Sequence, residues 1–162
     1  RNRGTIGGSL ANNDPAACYP SALLALDGTV HTQNRTIMSE EYFTGLFDTA
    51  LEEDEIITSI SFQKPEGAAY VKFPNPASRY AMVGVFVAKF LDRVRVAVTG
   101  AGEDGVFRAT DLEKALHVDF SADAILDGTI ASDSLMSDIH ASAEYRAHLI
   151  CEMTRRAVKA CY

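Results

Sequence analysis

The chain has only three cysteines in 162 residues, Cys18, Cys151 and Cys161, and no Cys-x-x-Cys pair. That excludes a local iron–sulfur or zinc motif, offers no disulfide framework and suits a reducing cytoplasm. Long apolar runs are also missing, so no segment reads as a membrane span. Lys and Arg form no cluster beyond Arg155-Arg156, and the formal net charge is −7. A general nucleic-acid surface, which needs a basic stripe, is excluded with it. His31, His117, His140 and His148 fall into neither a Glu-x-x-His nor a His-x-x-x-His set, which argues against a metal site. No Gly-x-Ser-x-Gly elbow marks a serine nucleophile. The adjacent acids Glu103 and Asp104 beside Gly105 suit a hairpin tip. The chain begins at Arg1 without a methionine or a cleavable leader, and is expected to be an internal piece of a longer protein.

What is present is ordinary globular material, 47% hydrophobic and 23% charged, enough for one domain or two small packed subdomains. The most informative stretch runs from Arg3 to Ala17. It sets Gly7-Gly8 between the hydroxyls of Thr5 and Ser9 and follows them with an Asn-Asp-Pro turn. Glycines without Cβ atoms let backbone amides approach a phosphate, and their access to positive φ would let consecutive N–H groups face one concavity. An ordinary Gly-Gly turn is the plainer alternative. Asp14 is either a carboxylate acceptor for a ligand hydroxyl or the first residue of an Asx turn before Pro15.

Pro20 suits the first turn of a short helix through Leu26, stopped by Asp27-Gly28. Residues 29–33, 35–38 and 56–62 read as strands, with a capped helical turn at 39–42. Gln63 to Gly67 is the best internal boundary, giving subdomains 1–63 and 67–162. In the second, 80–91, 94–100 and 106–108 predict a three-stranded antiparallel meander, followed by short helical pieces at 111–116 and 122–126. Ser142 is the expected cap of a final helix whose stripe, Tyr145, Leu149, Met153 and Ala157 with Ile150, packs on the meander. The fold class expected is α+β, with sheet and helix layers.

Three separated segments, in order, resemble the FAD-binding medium subunits of molybdenum hydroxylases, the family of carbon monoxide dehydrogenase and xanthine dehydrogenase flavoproteins. They are Thr5-Ile6-Gly7-Gly8-Ser9-Leu10-Ala11 with Asn13-Asp14-Pro15-Ala16-Ala17, Tyr70-Val71-Lys72-Phe73 leading to Ser78-Arg79-Tyr80-Ala81, and Ser142-Ala143-Glu144-Tyr145-Arg146. The resemblance implies the second part of an FAD-binding domain followed by a small C-terminal subdomain, with a further glycine loop for FAD lying N-terminal to these residues. It implies that Thr5, Ile6, Gly7, Gly8 and Ser9 lie against the FAD pyrophosphate and that Asp14 reaches a ribityl or ribose hydroxyl. By the same resemblance the Ile57 backbone meets the polar edge of the isoalloxazine, Lys72 lies near the flavin, and Tyr80 shields the ring. Many relatives carry an aspartate where this chain has Cys18. A thiol is a poor substitute for a carboxylate acceptor, so that contact is lost, weakened or taken over by Asp14.

The implied function is electron transfer: a molybdenum-binding large subunit oxidises substrate, a small subunit passes electrons through [2Fe-2S] clusters, and FAD delivers them to a quinone or other acceptor. The setting would be cytoplasmic, including the inner face of the membrane as a peripheral site. Two alternatives are a stand-alone FAD-dependent oxidoreductase of the vanillyl-alcohol-oxidase type fold and a non-enzymatic assembly module that has lost flavin.

Overall fold

The computed structural model describes residues 3–161. Thr5, in extended conformation, caps a first helix α1 (Ile6–Asn12), its Oγ1 accepting the Gly8 amide at 3.0 Å. Asn13 ends that helix at φ 42, a left-handed conformation asparagine tolerates, and its amide returns to the Ser9 carbonyl. The glycines therefore lie inside a helix, and neither has positive φ. This corrects the expectation of a loop whose glycines bend the chain.

Helix α2 (Tyr19–Ala25) follows, with Pro20 in its first turn as the fixed φ of proline favours. Asp27, at φ 44, and Gly28, whose amide donates to the Leu23 carbonyl at 2.8 Å, turn the chain into a three-stranded antiparallel sheet. That sheet consists of β1 (Thr29–Thr32), β2 (Thr36–Met38) and β5 (Ile57–Ser61), in the order β2-β1-β5. Between β2 and β5 lie α3 (Ser39–Tyr42) and a small hairpin of β3 (Phe43–Gly45) and β4 (Asp48–Thr49). The hairpin has no strong strand pattern of its own. Buried Asn13 holds it, its Nδ2 donating to the carbonyls of Gly45 at 2.8 Å and Asp48 at 2.9 Å.

The second sheet is a four-stranded antiparallel meander: β6 (Gly67–Pro74), β7 (Ala81–Lys89), β8 (Val94–Gly102) and β9 (Gly105–Arg108). The sequence predicts the last three of these strands. The added strand, β6, is a half-buried edge strand ending in proline, too mixed in composition to announce itself. The sheet is covered on both faces, which is why β7 and β8 read as near-continuous apolar runs rather than alternating ones.

On one face Val83, Val85, Val87, Val96 and Val98 pack with Leu112 and Leu116 of α4 (Thr110–Val118). Leu149, Ile150 and Met153 of α5 (Ala143–Ala160) complete this core. Each such side chain contributes about 1.5–3 kcal/mol by leaving water. A short 3-10 turn, Ala122–Ala124, links α4 towards α5. Ser142 caps α5 through the Tyr145 amide, as the sequence predicts. Tyr145 itself is half-exposed at 43% and meets Phe73 edge-on, with ring centroids 6.4 Å apart.

On the opposite face Leu24 and Ala25 of α2 pack on Ala88, Phe90 and Ala97. The preceding residue, Leu23, points instead into the first subdomain, among Leu10, Val30, Ile37 and Tyr42. Polar clamps reinforce this junction: Asp27 accepts from Arg93 Nε and Arg95 Nε, each at 2.8 Å.

Candidate functional site

The start of α1 is the common wall of two surface cavities. One, of about 300 Å³, is lined by Thr5, Gly7, Gly8, Leu51, Glu55 and Ile57 among others. The other, of about 230 Å³, lies against Thr5, Ser9, Ala17, Cys18, Tyr19 and Tyr80. Residues far apart in the chain, 5–9, 57 and 80, thus converge on one helix turn.

The convergence is built by backbone. The Thr99 Oγ1 lies 2.7 Å from both the Pro15 and Ala17 carbonyl oxygens, and the Gly100 amide donates to Pro15 at 2.8 Å. These bonds pin the turn after α1 onto β8. Gly100 is required there: it has φ +82, and a Cβ would come 2.4 Å from the Ala81 carbonyl. Tyr80, immediately before β7, is brought beside the turn and stands 58% exposed.

At the helix start the Ile6 and Gly7 amides belong to the first turn, where N–H groups have no intrahelical acceptor. The Thr5 oxygen is engaged with the Gly8 amide, but its hydroxyl hydrogen remains a donor. Gly7 and Gly8 adopt ordinary helical φ, where glycine costs about 1 kcal/mol relative to alanine. A Cβ at Gly7 would meet Ile57 at an ordinary 3.7 Å, and one at Gly8 would meet Thr5 Oγ1 at 3.0 Å. Nothing in the chain's own packing demands glycine at position 7.

Ile57 starts β5 beside these glycines, next to an irregularity in its pairing with Thr32. The sequence did not single out Glu55, whose side chain is fully buried at the same cavity. Its carboxylate accepts from Arg35 Nε and Nη2, Thr32 Oγ1 and the Glu52 amide. Arg35 foremost, then the Glu52 amide, hold it down at about 2. A carboxylate so satisfied is a fixed wall and not an acid–base group.

Lys72, on β6, half-buried, donates to the Arg79 carbonyl at 3.1 Å and lies 3.8 Å from Cys18 Sγ. Cys18 thus connects the lysine to the cavity holding Thr5, Ser9 and Tyr80. Tyr19, an exposed aromatic on that cavity, was not foreseen. Ile6 is partly exposed at the same turn without lining either cavity. Asp14 stands apart from both, and its Oδ1 accepts the Ala16 amide at 2.8 Å. That bond forms the Asx turn and uses one of the two carboxylate oxygens. Among the described residues no group of three His, Cys, Asp or Glu side chains is placed to hold a metal ion. No helix among them is long and apolar enough to cross a membrane.

Comparison with known proteins gives a family for each part of the chain. Residues 1–64 match the FAD binding domain in molybdopterin dehydrogenase, and residues 68–161 match the CO dehydrogenase flavoprotein C-terminal domain. The nicotine 6-hydroxylase medium subunit of Paenarthrobacter nicotinovorans is 39% identical over 98% of this chain and 60% of its own length. The carbon monoxide dehydrogenase medium chain of Hydrogenophaga pseudoflava is 27% identical over 100% of this chain and 62% of its own. Among solved structures, reconstituted CO dehydrogenase from Oligotropha carboxidovorans superposes with a TM-score of 0.84 at 26% identity, covering 99% of this chain and 62% of that one. The chain spans about 60% of the length of the curated relatives it matches. With its C-terminal match alone extending over more than half of its residues, the chain belongs to the carbon monoxide dehydrogenase flavoprotein family, the FAD-binding medium subunits of molybdenum hydroxylases.

Proposed function

We propose that this chain forms part of an electron-transfer subunit that takes electrons from [2Fe-2S] clusters on a small subunit and passes them through FAD to an external acceptor, a quinone or another oxidant. Substrate oxidation belongs to a molybdenum-binding large subunit, and the complex works in the cytoplasm. The chain contributes two subdomains, 1–63 and 67–162.

The observation that carries this function is the glycine at position 7. It weakens its own helix, nothing in the fold requires it, and it opens on a cavity that a Cβ would narrow. We assign a nucleotide pyrophosphate to this helix start, where Thr5 and Gly7 line one cavity, Thr5 and Ser9 line its neighbour, and the Ile6 amide belongs to the same first turn. Bound flavin supplies reversible electron storage, which the protein tunes through charge and access.

The chain's own residues divide the work. The donors of residues 5–9 anchor the diphosphate. Asp14 stiffens the following turn through Oδ1 and keeps Oδ2 as an acceptor for a ribityl or ribose hydroxyl. The Ile57 backbone, at the first residue of β5, meets the polar edge of the ring. Lys72 places a cation nearby, and the half-exposed Tyr80 covers the ring against indiscriminate oxidants.

The test is the visible absorption spectrum of the full-length gene product, with identification of the released nucleotide. Flavin absorption and released FAD are expected. A colourless, well-folded protein overturns the proposal.

A further inference from the structure

Cys18 is held from both sides by buried hydroxyls that lie far apart in the sequence. Ser21, on α2 and wholly inaccessible, donates its Oγ hydrogen to the Cys18 carbonyl at 2.8 Å. Thr99, on β8 and equally inaccessible, brings its Oγ1 within 2.7 Å of the carbonyl oxygens of both Ala17 and Pro15. A threonine hydroxyl has one hydrogen to give. Pro15 already accepts the Gly100 amide at 2.8 Å, which leaves the Thr99 hydrogen to Ala17, whose peptide leads into Cys18.

The Thr99 side chain is not free to turn away. Its partner in the β7 and β8 register is Gly84, and a Cβ at that position would come 2.8 Å from Thr99 Cγ2. The space left by the glycine seats the methyl, and a β-branched side chain so seated keeps one rotamer, with its hydroxyl towards the turn. Cys18 stands at the N-cap of α2 without a side-chain capping bond, and its Sγ lies 3.8 Å from Lys72 Nζ. Residues 16–19 also wall the cavity that they share with Thr5, Ser9 and Tyr80. A side chain of the second subdomain thus sets the backbone that the first presents to that cavity.

Resting on the flavin function proposed above, we infer that Thr99 is a positioning residue for the flavin: through the Ala17 carbonyl it fixes Cys18, and through Cys18 it fixes the Lys72 ammonium that favours the reduced, anionic ring. Being inaccessible, Thr99 acts only through these neighbours. Without its hydroxyl the Ala17 carbonyl loses a donor and the turn relaxes. The Lys72 Nζ then loses Sγ and moves towards solvent, where its charge is screened.

The test is the flavin midpoint potential of the full-length protein with its FAD, measured by spectroelectrochemical titration, with FAD content recorded for every variant. Thr99→Val keeps the shape and removes the hydroxyl. It is expected to lower the equilibrium constant for two-electron reduction about threefold, part of the roughly tenfold fall expected when the Lys72 charge is removed. Thr99→Ser, which restores the hydroxyl, should return the wild-type potential. In a Lys72→Met background Thr99→Val should add nothing, an outcome that loosened packing by itself would not produce. Ser21→Ala, which frees Cys18 from the other side, should lower the potential in the same Lys72-dependent way, and it decides the matter by the same criteria if Thr99→Val does not fold. With normal FAD content, an unchanged potential in Thr99→Val overturns the inference. So does a shift that persists undiminished without Lys72, or a Thr99→Ser protein shifted as far as Thr99→Val. Each of these leaves the flavin function standing, whereas wild-type protein without FAD overturns both.

Discussion

Lys72 Nζ lies 3.8 Å from Cys18 Sγ, and its other bond runs to a backbone carbonyl. No carboxylate shares in those contacts, so the ammonium charge beside the Tyr80 cavity is left for a ligand to feel. If that charge favours the reduced, anionic ring, Lys72→Met lowers the flavin midpoint potential. The drop should be on the order of 30 mV, the two-electron equivalent of about 1.4 kcal/mol. Cys18→Asp, which supplies a counter-charge, should shift the potential in the same direction. Potentiometric titration of the three proteins checks both.

Gly7→Ala separates a cofactor glycine from a structural one. The added methyl meets Ile57 at 3.7 Å without strain, so the fold should hold or gain up to about 1 kcal/mol in thermal unfolding. FAD retained after gel filtration should nevertheless fall. Retention equal to wild type would remove the reason for a glycine at this position.

The Glu55 carboxyl sits at about 2 in the folded protein, below its ordinary 4.5. A depressed carboxylate stabilises the fold above the unfolded value and loses that contribution as pH falls through the folded one. Denaturant unfolding should therefore show stability declining between about pH 4.5 and 2. Glu55→Gln, lower in stability at neutral pH, should flatten that decline.

Asp27→Asn preserves a side chain that tolerates φ 44 while withdrawing the charge that Arg93 and Arg95 share. A loss of about 2 kcal/mol is expected from two weakened, partly buried charge-assisted bonds. The midpoint of denaturant unfolding measures it.

Tyr80→Ala removes an exposed side chain and should change stability by less than about 0.5 kcal/mol. If the ring shields the flavin, reoxidation by dissolved oxygen accelerates. An unchanged rate would assign Tyr80 to packing alone.

The sequence made the helices and central strands legible wherever a local rule governed them. Ser142 capped its helix, Pro20 opened one, and the valine-rich runs of β7 and β8 read as neighbouring strands of a meander. The hairpin 43–49 was invisible because its determinant, Asn13, lies thirty residues upstream. Strand β6 was noticed only as part of a segment that carries the family resemblance, since a half-buried edge leaves little periodicity. At the site, the order Thr5-Ile6-Gly7-Gly8-Ser9 drew attention through composition, yet its conformation was misjudged: the Thr5 cap turns these residues into a helix. Glu55 lay within an acidic run that reads as solvated, and only Arg35, twenty residues earlier, explains why its side chain is inside.

Leu23 and Leu24 are neighbours on one helix and serve opposite cores, the first closed by Tyr42 and Val30, the second by Ala88 and Ala97. A chimera that joins the first half of this protein to the second half of a relative must therefore carry a matched α2. Two small alanines on the recipient sheet are the docking code, and a bulkier residue at either would pry the halves apart however well each was chosen alone. Recombination between family members should succeed at crossovers that keep residues 19–26 with the sheet they cover, and fail at the boundary that looks most natural in the sequence, between 63 and 67.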